Sequence, residues 1–224
     1  MLEVILDTET TGLSVADDHR IVEIGCIELK EQIVTNKVFH EYINPERPVS
    51  EEAYKIHGYS NEFLSKKKIF PEIADEFLEF IRDKKIIIHN AAFDLSFINY
   101  ELKKINKKPI DKKNVIDTLE IARQKFPGSQ NSLDALCKKY NIDNSKRDKH
   151  NALLDCKLLQ KVYINLLGQK EPKLNLQSTE YLDDKYKVDF KEKYRNIRKI
   201  IKPSDKELNT HKAFLKSYLP KNNY

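Results

Sequence analysis

The sequence predicts an α/β fold in which a mixed, five-stranded sheet is flanked by helices. Strand-like and helix-like segments follow one another in the order β-β-β-α-β-α-β-α-α, which favours a sheet covered by helices on both faces. The second and third strands are separated only by Lys30 and Glu31, a link that suits an antiparallel hairpin. Residues 86–88 form a continuous apolar run, which is typical of a strand buried on both faces.

Each predicted element has a local signal. The strands are rich in β-branched and apolar residues, and we place them at 2–7, 20–29, 32–43, 85–88 and 114–117. Apolar residues recur at helical spacing between residues 71 and 82, from Ile73 through Phe77 to Ile81. Ser132 is a plausible N-cap, and Gly168 closes the last helix of this region. The predicted helices are 50–55, 61–64, 71–82, 90–106, 118–125, 132–140 and 151–167.

The chain divides into three predicted segments: a domain over 1–168, a linker over 169–189 and a tail over 190–224. All five glycines lie at or before Gly168, and the whole excess of +5 charge lies in residues 171–224. Residues 169–189 are polar and lack sustained periodicity. In the tail, a basic amphipathic helix is predicted over 190–201, Pro203 ends it, and Ser204 begins a last helix.

The composition permits a nucleic-acid-binding protein and argues against a membrane-spanning or disulfide-bonded one. The pI of about 8.8 permits a nucleic-acid partner without requiring one. No apolar run approaches the roughly 18 residues of a membrane span, and no basic leader precedes the first strand. The three cysteines, Cys26, Cys137 and Cys156, lack CxxC spacing and are expected to be buried thiols in a reducing compartment. We therefore expect a cytoplasmic location.

Four carboxylates follow or end predicted elements. Asp7 and Glu9 lie two residues apart at the end of the first strand, so their side chains point the same way. Asp94 lies in the first turn of the helix after strand 85–88. If that strand is parallel to strand 2–7, both acids lie at the edge of the sheet where α/β proteins place their sites. His150 and Asp155 lie at the start of helix 151–167.

Converging carboxylates repel one another unless a cation joins them. Hard divalent ions prefer oxygen ligands, and two such ions about 3.5–4 Å apart can drive phosphodiester displacement. His150 adds a group that titrates near neutral pH and can take a proton from an attacking water. The pattern predicts a two-metal phosphodiesterase site.

The same residues resemble the three motifs of the DEDDh family of 3′–5′ exonucleases. The segments are residues 7–13 (DTETTGL), 89–94 (HNAAFD) and 150–155 (HNALLD). The resemblance covers residues 1 to about 168 and implies a ribonuclease H-like fold. It implies that two Mg²⁺ or Mn²⁺ ions are held by Asp7, Glu9, Asp94 and Asp155, with His150 as general base. The substrate-binding residues that it implies are Asp7, Thr8, Glu9, Thr10, Thr11, Gly12, Leu13, His57, Asn90, Phe93, His150 and Asp155.

The proofreading members of the family imply partners as well. The substrate is a DNA 3′ end, and residues 195–216 resemble, more weakly, a region that contacts the alpha (polymerase) subunit of a replicative polymerase. Residues 177–182 (QSTEYL) resemble short peptides that bind the sliding clamp, and a plain linker is an equal interpretation. A small theta-like subunit is a further implied partner.

Other interpretations stay open at this point. A stand-alone exonuclease that trims RNA, or a mainly structural accessory of a polymerase, would carry the same motifs. His57 is either a packed turn residue or a substrate contact, and His89 is expected to be a hydrogen-bonded structural residue. Asp117 is expected to cap helix 118–125. His19, His40 and His211 are expected at the surface.

Overall fold

The computed structural model describes residues 1–145, 147, 149–168 and 203–218. These residues fall into two compact units, one within 1–174 and one within 175–224. The predicted linker and the basic helix 190–201, with the 177–182 segment, lie outside the described residues. The boundaries of the three predicted segments therefore stay a prediction. Among the described residues, no helix is both long and apolar enough to cross a membrane.

The first unit is built around a mixed sheet. Its strands are β1 (Leu2–Thr10), β2 (Ile21–Lys30), β3 (Ile33–Asn44), β4 (Lys68–Ile69), β5 (Lys85–Ile88) and β6 (Val115–Asp117). They lie in the order β4-β3-β2-β1-β5-β6. β1 pairs antiparallel with β2 and parallel with β5, which confirms that the two strands before the predicted acids end at one edge.

The sheet has six strands, so the predicted count of five is corrected. β4 has only two residues, Lys68 and Ile69, which pair with the end of β3. Two residues are too few to show the alternation by which a strand is found in sequence. β1 also runs to Thr10, beyond the predicted end, because it continues to pair with β2 past a register shift after Glu9.

Helices cover both faces of this sheet. They are α1 (Glu51–His57), α2 (Asn61–Ser65), α3 (Phe70–Ile81), α4 (Ala91–Lys104), α5 (Thr118–Lys125), α6 (Leu133–Lys139) and α7 (Ala152–Leu166). One core cluster joins Val4 and Leu6 of β1 to apolar residues of α3 and α4. The other joins Ile5 to apolar residues of α5, α6 and α7. The three cysteines are buried and free, as predicted.

In the second unit the structure describes one helix, α8 (Asp205–Tyr218). Glu207 accepts from the backbone N–H and the hydroxyl of Ser204, both at 2.8 Å, which confirms the predicted helix start. Leu208 and Phe214 of α8 are exposed within their unit.

Candidate active site

The first two carboxylates share the face of β1 that looks towards α7. Residues alternate along a strand, so Asp7 and Glu9 point to the same side as Ile5, which packs in the α5–α7 cluster. Thr8 lies between them and points to the α4 side. Glu9 is 8% exposed, and so it is almost wholly enclosed. The alternation brings both acids beneath the start of α7.

Asp94 reaches the same edge from α4. The helix begins after Asn90, whose left-handed backbone (φ 68°) turns the chain sharply out of β5. Asp117 accepts from the backbone N–H groups of Asn90 and Ala91, each at 3.0 Å, and so anchors this turn. Oδ1 of Asp94 accepts from the N–H of Thr8 at 3.1 Å and from its hydroxyl at 2.7 Å. These bonds tie the third acid directly to β1.

His150 and Asp155 are fixed by the start of α7. Asn151 caps the helix, accepting from the N–H of Leu154 at 2.9 Å. Glu23 of β2, which is fully buried, accepts from the N–H of Ala152 at 3.0 Å. The N–H of His150 donates to the carbonyl of Ile56 at 3.1 Å. Ligand atoms of Glu9, His150 and Asp155 all lie within 4.8 Å of one another.

Burial and mutual repulsion disfavour the charged forms of these acids. Burial, with Asp155 and Glu23 nearby, raises the pKa of Glu9 to about 9. Burial raises the pKa of Asp94 to about 7, although its bonds from Thr8 oppose the shift. Burial and then the charges of Asp94 and Glu9 raise the pKa of Asp7 well above its usual range. Three carboxylates in so unfavourable a field, Asp7, Glu9 and Asp94, fit a hard divalent cation, which would relieve the repulsion.

Among the described residues, one cation, Arg147, contacts this cluster, and the sequence analysis did not single it out. Arg147 donates through Nε and Nη2 to the two oxygens of Asp155, both at 2.6 Å. Its Nη1 donates to Asp134 of α6 at 2.7 Å, and its Nη2 lies 2.9 Å from Nδ1 of His150. Burial and the nearby Arg147 lower the pKa of His150, so its imidazole is neutral near pH 7.

Two cavities open on either side of Leu13, whose side chain is 81% exposed. The first, of about 840 Å³, contains the acids with Arg147 and extends past α5 and α6. The second, of about 400 Å³, lies between the end of β1 and α1. Of the predicted substrate residues, Asp7, Asn90, His150 and Asp155 line the first cavity, and Thr10, Gly12 and His57 line the second. Thr8, Glu9, Leu13 and Phe93 line both.

Thr11 is the predicted substrate residue that lines neither of these cavities. Its side chain is fully buried, and its hydroxyl lies 2.9 Å from Nδ1 of His19 and accepts from the N–H of Arg20 at 3.0 Å. The ring of His19 occupies the space where a side chain on Gly12 would lie, 2.3 Å from a Cβ built there. Thr11 and His19 therefore support the loop of Gly12 from behind, and His19 is not the free surface residue expected from sequence.

Some of the histidines make structural hydrogen bonds, and some line the cavities of the site. His89 makes the structural bond expected of it, with Nδ1 2.9 Å from the hydroxyl of Thr118, and it also lines the first cavity. His57 accepts from the N–H of Tyr59 at 3.0 Å through Nδ1, and its buried Nε2 has no partner among the described residues. His57 is therefore packed in a turn and also has a nitrogen that could contact substrate. His40 is corrected from a surface residue, because its Nε2 lies 2.7 Å from Glu23.

Several site residues were missed from the sequence. Among them are Arg147, Arg123 of α5, Asp134 of α6 and Glu52 of α1, which line the cavities, and Glu23, which holds the start of α7. Arg147 lies three residues before His150, a proximity that would have marked it as a candidate. For the others the sequence carries no local signal, since each depends on contacts between distant segments.

Comparisons with known proteins agree with this geometry. A family model described as Exonuclease (RNase_T) matches residues 4–163. The chain is 48% identical over 221 residues to the DNA polymerase III subunit epsilon of Rickettsia conorii (strain ATCC VR-613 / Malish 7), covering 97% of this chain and 96% of the relative. To the subunit of the same name from Escherichia coli (strain K12) it is 47% identical over 174 residues, covering 74% and 71%.

Solved structures of lower identity share the fold. The chain superposes on Exonuclease X in complex with 5′ overhanging duplex DNA with a TM-score of 0.59 and 24% identity, covering 75% of this chain and 92% of that one. For the nuclease domain of 3′hExo, a DEDDh family member bound to rAMP, the TM-score is 0.65 and the identity 19%, covering 75% and 92%. The fold is therefore the ribonuclease H-like fold that the sequence motifs implied.

Proposed function

The chain belongs to the exonuclease family that includes the DNA polymerase III epsilon subunits, and from this premise we propose how its residues perform 3′–5′ proofreading of DNA. It is a 3′–5′ exonuclease, a hydrolase of the proofreading type. The observation that carries the proposal is the convergence of Asp7, Glu9, Asp94 and Asp155 at one sheet edge beside His150.

The fold is one that uses divalent metal ions. We assign the four carboxylates as their ligands and Mg²⁺ or Mn²⁺ as the ions, because all four ligand groups are oxygens. Bound there, such ions polarise the phosphodiester and acidify a water. The imidazole of His150, neutral near pH 7, is placed to accept the proton of that water.

The cavities suggest how the 3′ end is held. The terminal nucleotide fits the smaller cavity, where Thr10, Gly12 and His57 surround it and the unpartnered Nε2 of His57 is available for a hydrogen bond. Leu13 and Phe93 line both cavities and provide apolar surface against a base. The rest of the strand lies in the larger cavity, which Asn90 and Arg123 line.

Relatives named DNA polymerase III subunit epsilon imply a DNA substrate and polymerase partners. We propose that residues 190–224 bind the alpha subunit and that a clamp and a small theta-like subunit are further partners. Residues 1–168 would then be the catalytic domain and 169–189 a linker. A replicative partner would place the protein in the cytoplasm.

Hydrolysis of labelled primers by the purified full chain tests the proposal. The substrates are a DNA primer with a paired or a mispaired 3′ end and an RNA primer of the same sequence, each with Mg²⁺. We expect release of deoxynucleoside 5′-monophosphates, faster from the mispaired end. Preferential cleavage of RNA would make the protein an RNA trimmer, and no cleavage of either substrate would leave a structural accessory.

Asp7→Asn and Asp75→Asn give a matched pair for this assay. Both remove one carboxylate charge, but Asp75 lies at the surface of α3, where it pairs with Lys107. We expect the Asp7 variant to be inactive yet folded, and the Asp75 variant to cleave like the unaltered chain. Equal activity in the two variants would refute the assignment of Asp7.

A further inference from the structure

Arg147 holds the carboxylate of Asp155 in the way that a metal ion would. Both oxygens of Asp155 accept from the guanidinium at 2.6 Å, a bidentate pair that leaves neither of these directions open. The side chains of Arg147 and Asp155 are 7% and 3% exposed, so water screens this contact little. The lone pairs with which Asp155 accepts from Arg147 are not free to bind a divalent ion at the same time, so an ion that takes them has to displace the guanidinium.

The second anchor of Arg147 allows it to leave Asp155 without leaving the site. Its Nη1 donates to Asp134 at 2.7 Å, and the side chain of Asp134 is 54% exposed. A guanidinium that releases Asp155 can therefore keep its bond to Asp134 at the wall of the larger cavity. The charge stays paired, so the exchange does not leave a buried cation uncompensated.

Arg147 also restrains His150. Its Nη2 lies 2.9 Å from Nδ1 of the imidazole, which acts as the acceptor because a guanidinium only donates. The same Nη2 donates to Asp155, so one movement of Arg147 frees both groups.

We propose that Arg147 is a positioning residue that competes with a divalent ion for Asp155, and that binding of the ion moves Arg147 onto Asp134 and releases His150. The inference rests on the proposed function of the carboxylate site. It means that the site holds its own counter-ion in the absence of metal, and that metal affinity is set partly by the strength of the pair between Arg147 and Asp155. Removing Arg147 therefore tightens metal binding, whereas the loss of an ordinary site residue weakens it.

Mn²⁺ binding to the full chain without nucleic acid tests the inference. The dissociation constant is measured at pH 8 by electron paramagnetic resonance of free Mn²⁺ for the unaltered chain, Arg147→Met and Arg123→Met. Arg123 lines the same cavity and makes no hydrogen bond or ion pair with a carboxylate of the described residues, so its variant controls for the loss of one positive charge. We expect Arg147→Met to bind Mn²⁺ about tenfold more tightly than Arg123→Met does.

Thermal unfolding provides a second readout. In EDTA, Arg147→Met should unfold at a lower temperature than the unaltered chain, because Asp155 loses its counter-ion. Added Mn²⁺ should raise its unfolding temperature by more than it raises that of the unaltered chain. Arg147→Lys keeps the charge but not the bidentate contact, and it should give intermediate values; it answers the same question if the Met variant does not fold.

The outcomes separate the inference from the proposed function. If the unaltered chain binds Mn²⁺ and Arg147→Met binds it no more tightly than Arg123→Met, the inference is wrong and the metal site stands. If neither the unaltered chain nor Arg147→Met binds Mn²⁺, the metal site fails, and the inference fails with it.

Discussion

Glu23→Gln is the substitution that best tests how the start of α7 is held. Glu23 is 0% exposed and accepts four hydrogen bonds, two at each oxygen. Oε1 accepts from the side-chain amide of Asn151 at 2.6 Å and lies 2.7 Å from Nε2 of His40. Oε2 accepts from the N–H of Ala152 at 3.0 Å and from the hydroxyl of Tyr59 at 2.7 Å. One carboxylate thus joins β2 and β3 to the first residues of the catalytic helix.

The expected loss in the free energy of unfolding follows from the hydrogen-bond donors around Glu23 that cannot become acceptors. Glutamine keeps the shape but presents an NH₂ group at one of the two positions. The hydroxyl of Tyr59 and the ring of His40 can become acceptors, but the N–H of Ala152 and the amide of Asn151 cannot, since the Oδ1 of Asn151 already caps α7. One buried donor then faces another, which costs about 1–3 kcal/mol.

Two further effects act in opposite directions. The remaining bonds weaken because they no longer end on a charge, while the repulsion that Glu23 exerts on Asp7 and Glu9 is relieved. We therefore expect a loss of about 2 kcal/mol in the free energy of unfolding. For a chain of this size that corresponds to a fall of roughly 4–8 °C in Tm.

Urea unfolding of the full chain, followed by circular dichroism, measures the loss. Glu3→Gln is the matched control, because Glu3 is also a buried glutamate of the sheet but accepts a single side-chain bond, from the hydroxyl of Tyr163 at 2.9 Å. That hydroxyl can turn, so the control should lose less than about 1 kcal/mol. Equal losses in the two variants would refute the argument from fixed donors.

Three further outcomes are expected. Gly25→Ala places a Cβ 2.7 Å from backbone atoms of Ala152 and Leu153, so α7 must shift. We expect the free energy of unfolding, measured in urea, to fall by about 1–3 kcal/mol and the activity to fall with it. Full activity would contradict this expectation. Asp117→Ala removes the acceptor of three N–H groups and should cost about 3 kcal/mol, with Asp117→Asn costing less in the same assay. Burial lowers the pKa of His89 below its usual 6.5, so the unfolded chain binds the proton first and the free energy of unfolding falls as pH drops through 6.5. His89→Gln should flatten this pH dependence of stability between pH 7 and 5. An unchanged slope would show that His89 does not contribute.

Site residues could be predicted from the sequence where their positions follow from local rules, such as the alternation of side chains along a strand. Asp7 and Glu9 alternate along a strand, and Asp94 follows the strand that proved parallel to it, so periodicity and topology together predicted that they meet. Ser132 and Asp117 were found as caps for the same reason, since a cap acts on its own helix. Asp7, Glu9 and Asp94 needed no knowledge of distant packing beyond the order of the strands, whereas Asp155 meets them only because α7 packs across the sheet edge.

The supporting residues could not be predicted in this way. Glu23 is an acid within an apolar strand, and its partners come from distant segments, with Asn151 and Ala152 arriving from the far end of the domain. His40 was expected at the surface because its partner, Glu23, lies on a different strand. Thr11 was expected to face the substrate because the motif was read as a unit, whereas the bulge after Glu9 turns its side chain into the protein.

The separations between paired site residues have a consequence for when the enzyme becomes active. Thr8 and Asp94 are 86 residues apart, and Cys156, beside Asp155, meets Ile5 across 151 residues. Contacts of such long range require the closure of long loops, which slows folding. A chain still leaving the ribosome, or one cleaved before α7, carries two or three of the acids but never the complete set. Hydrolysis of DNA therefore requires a chain that extends through α7.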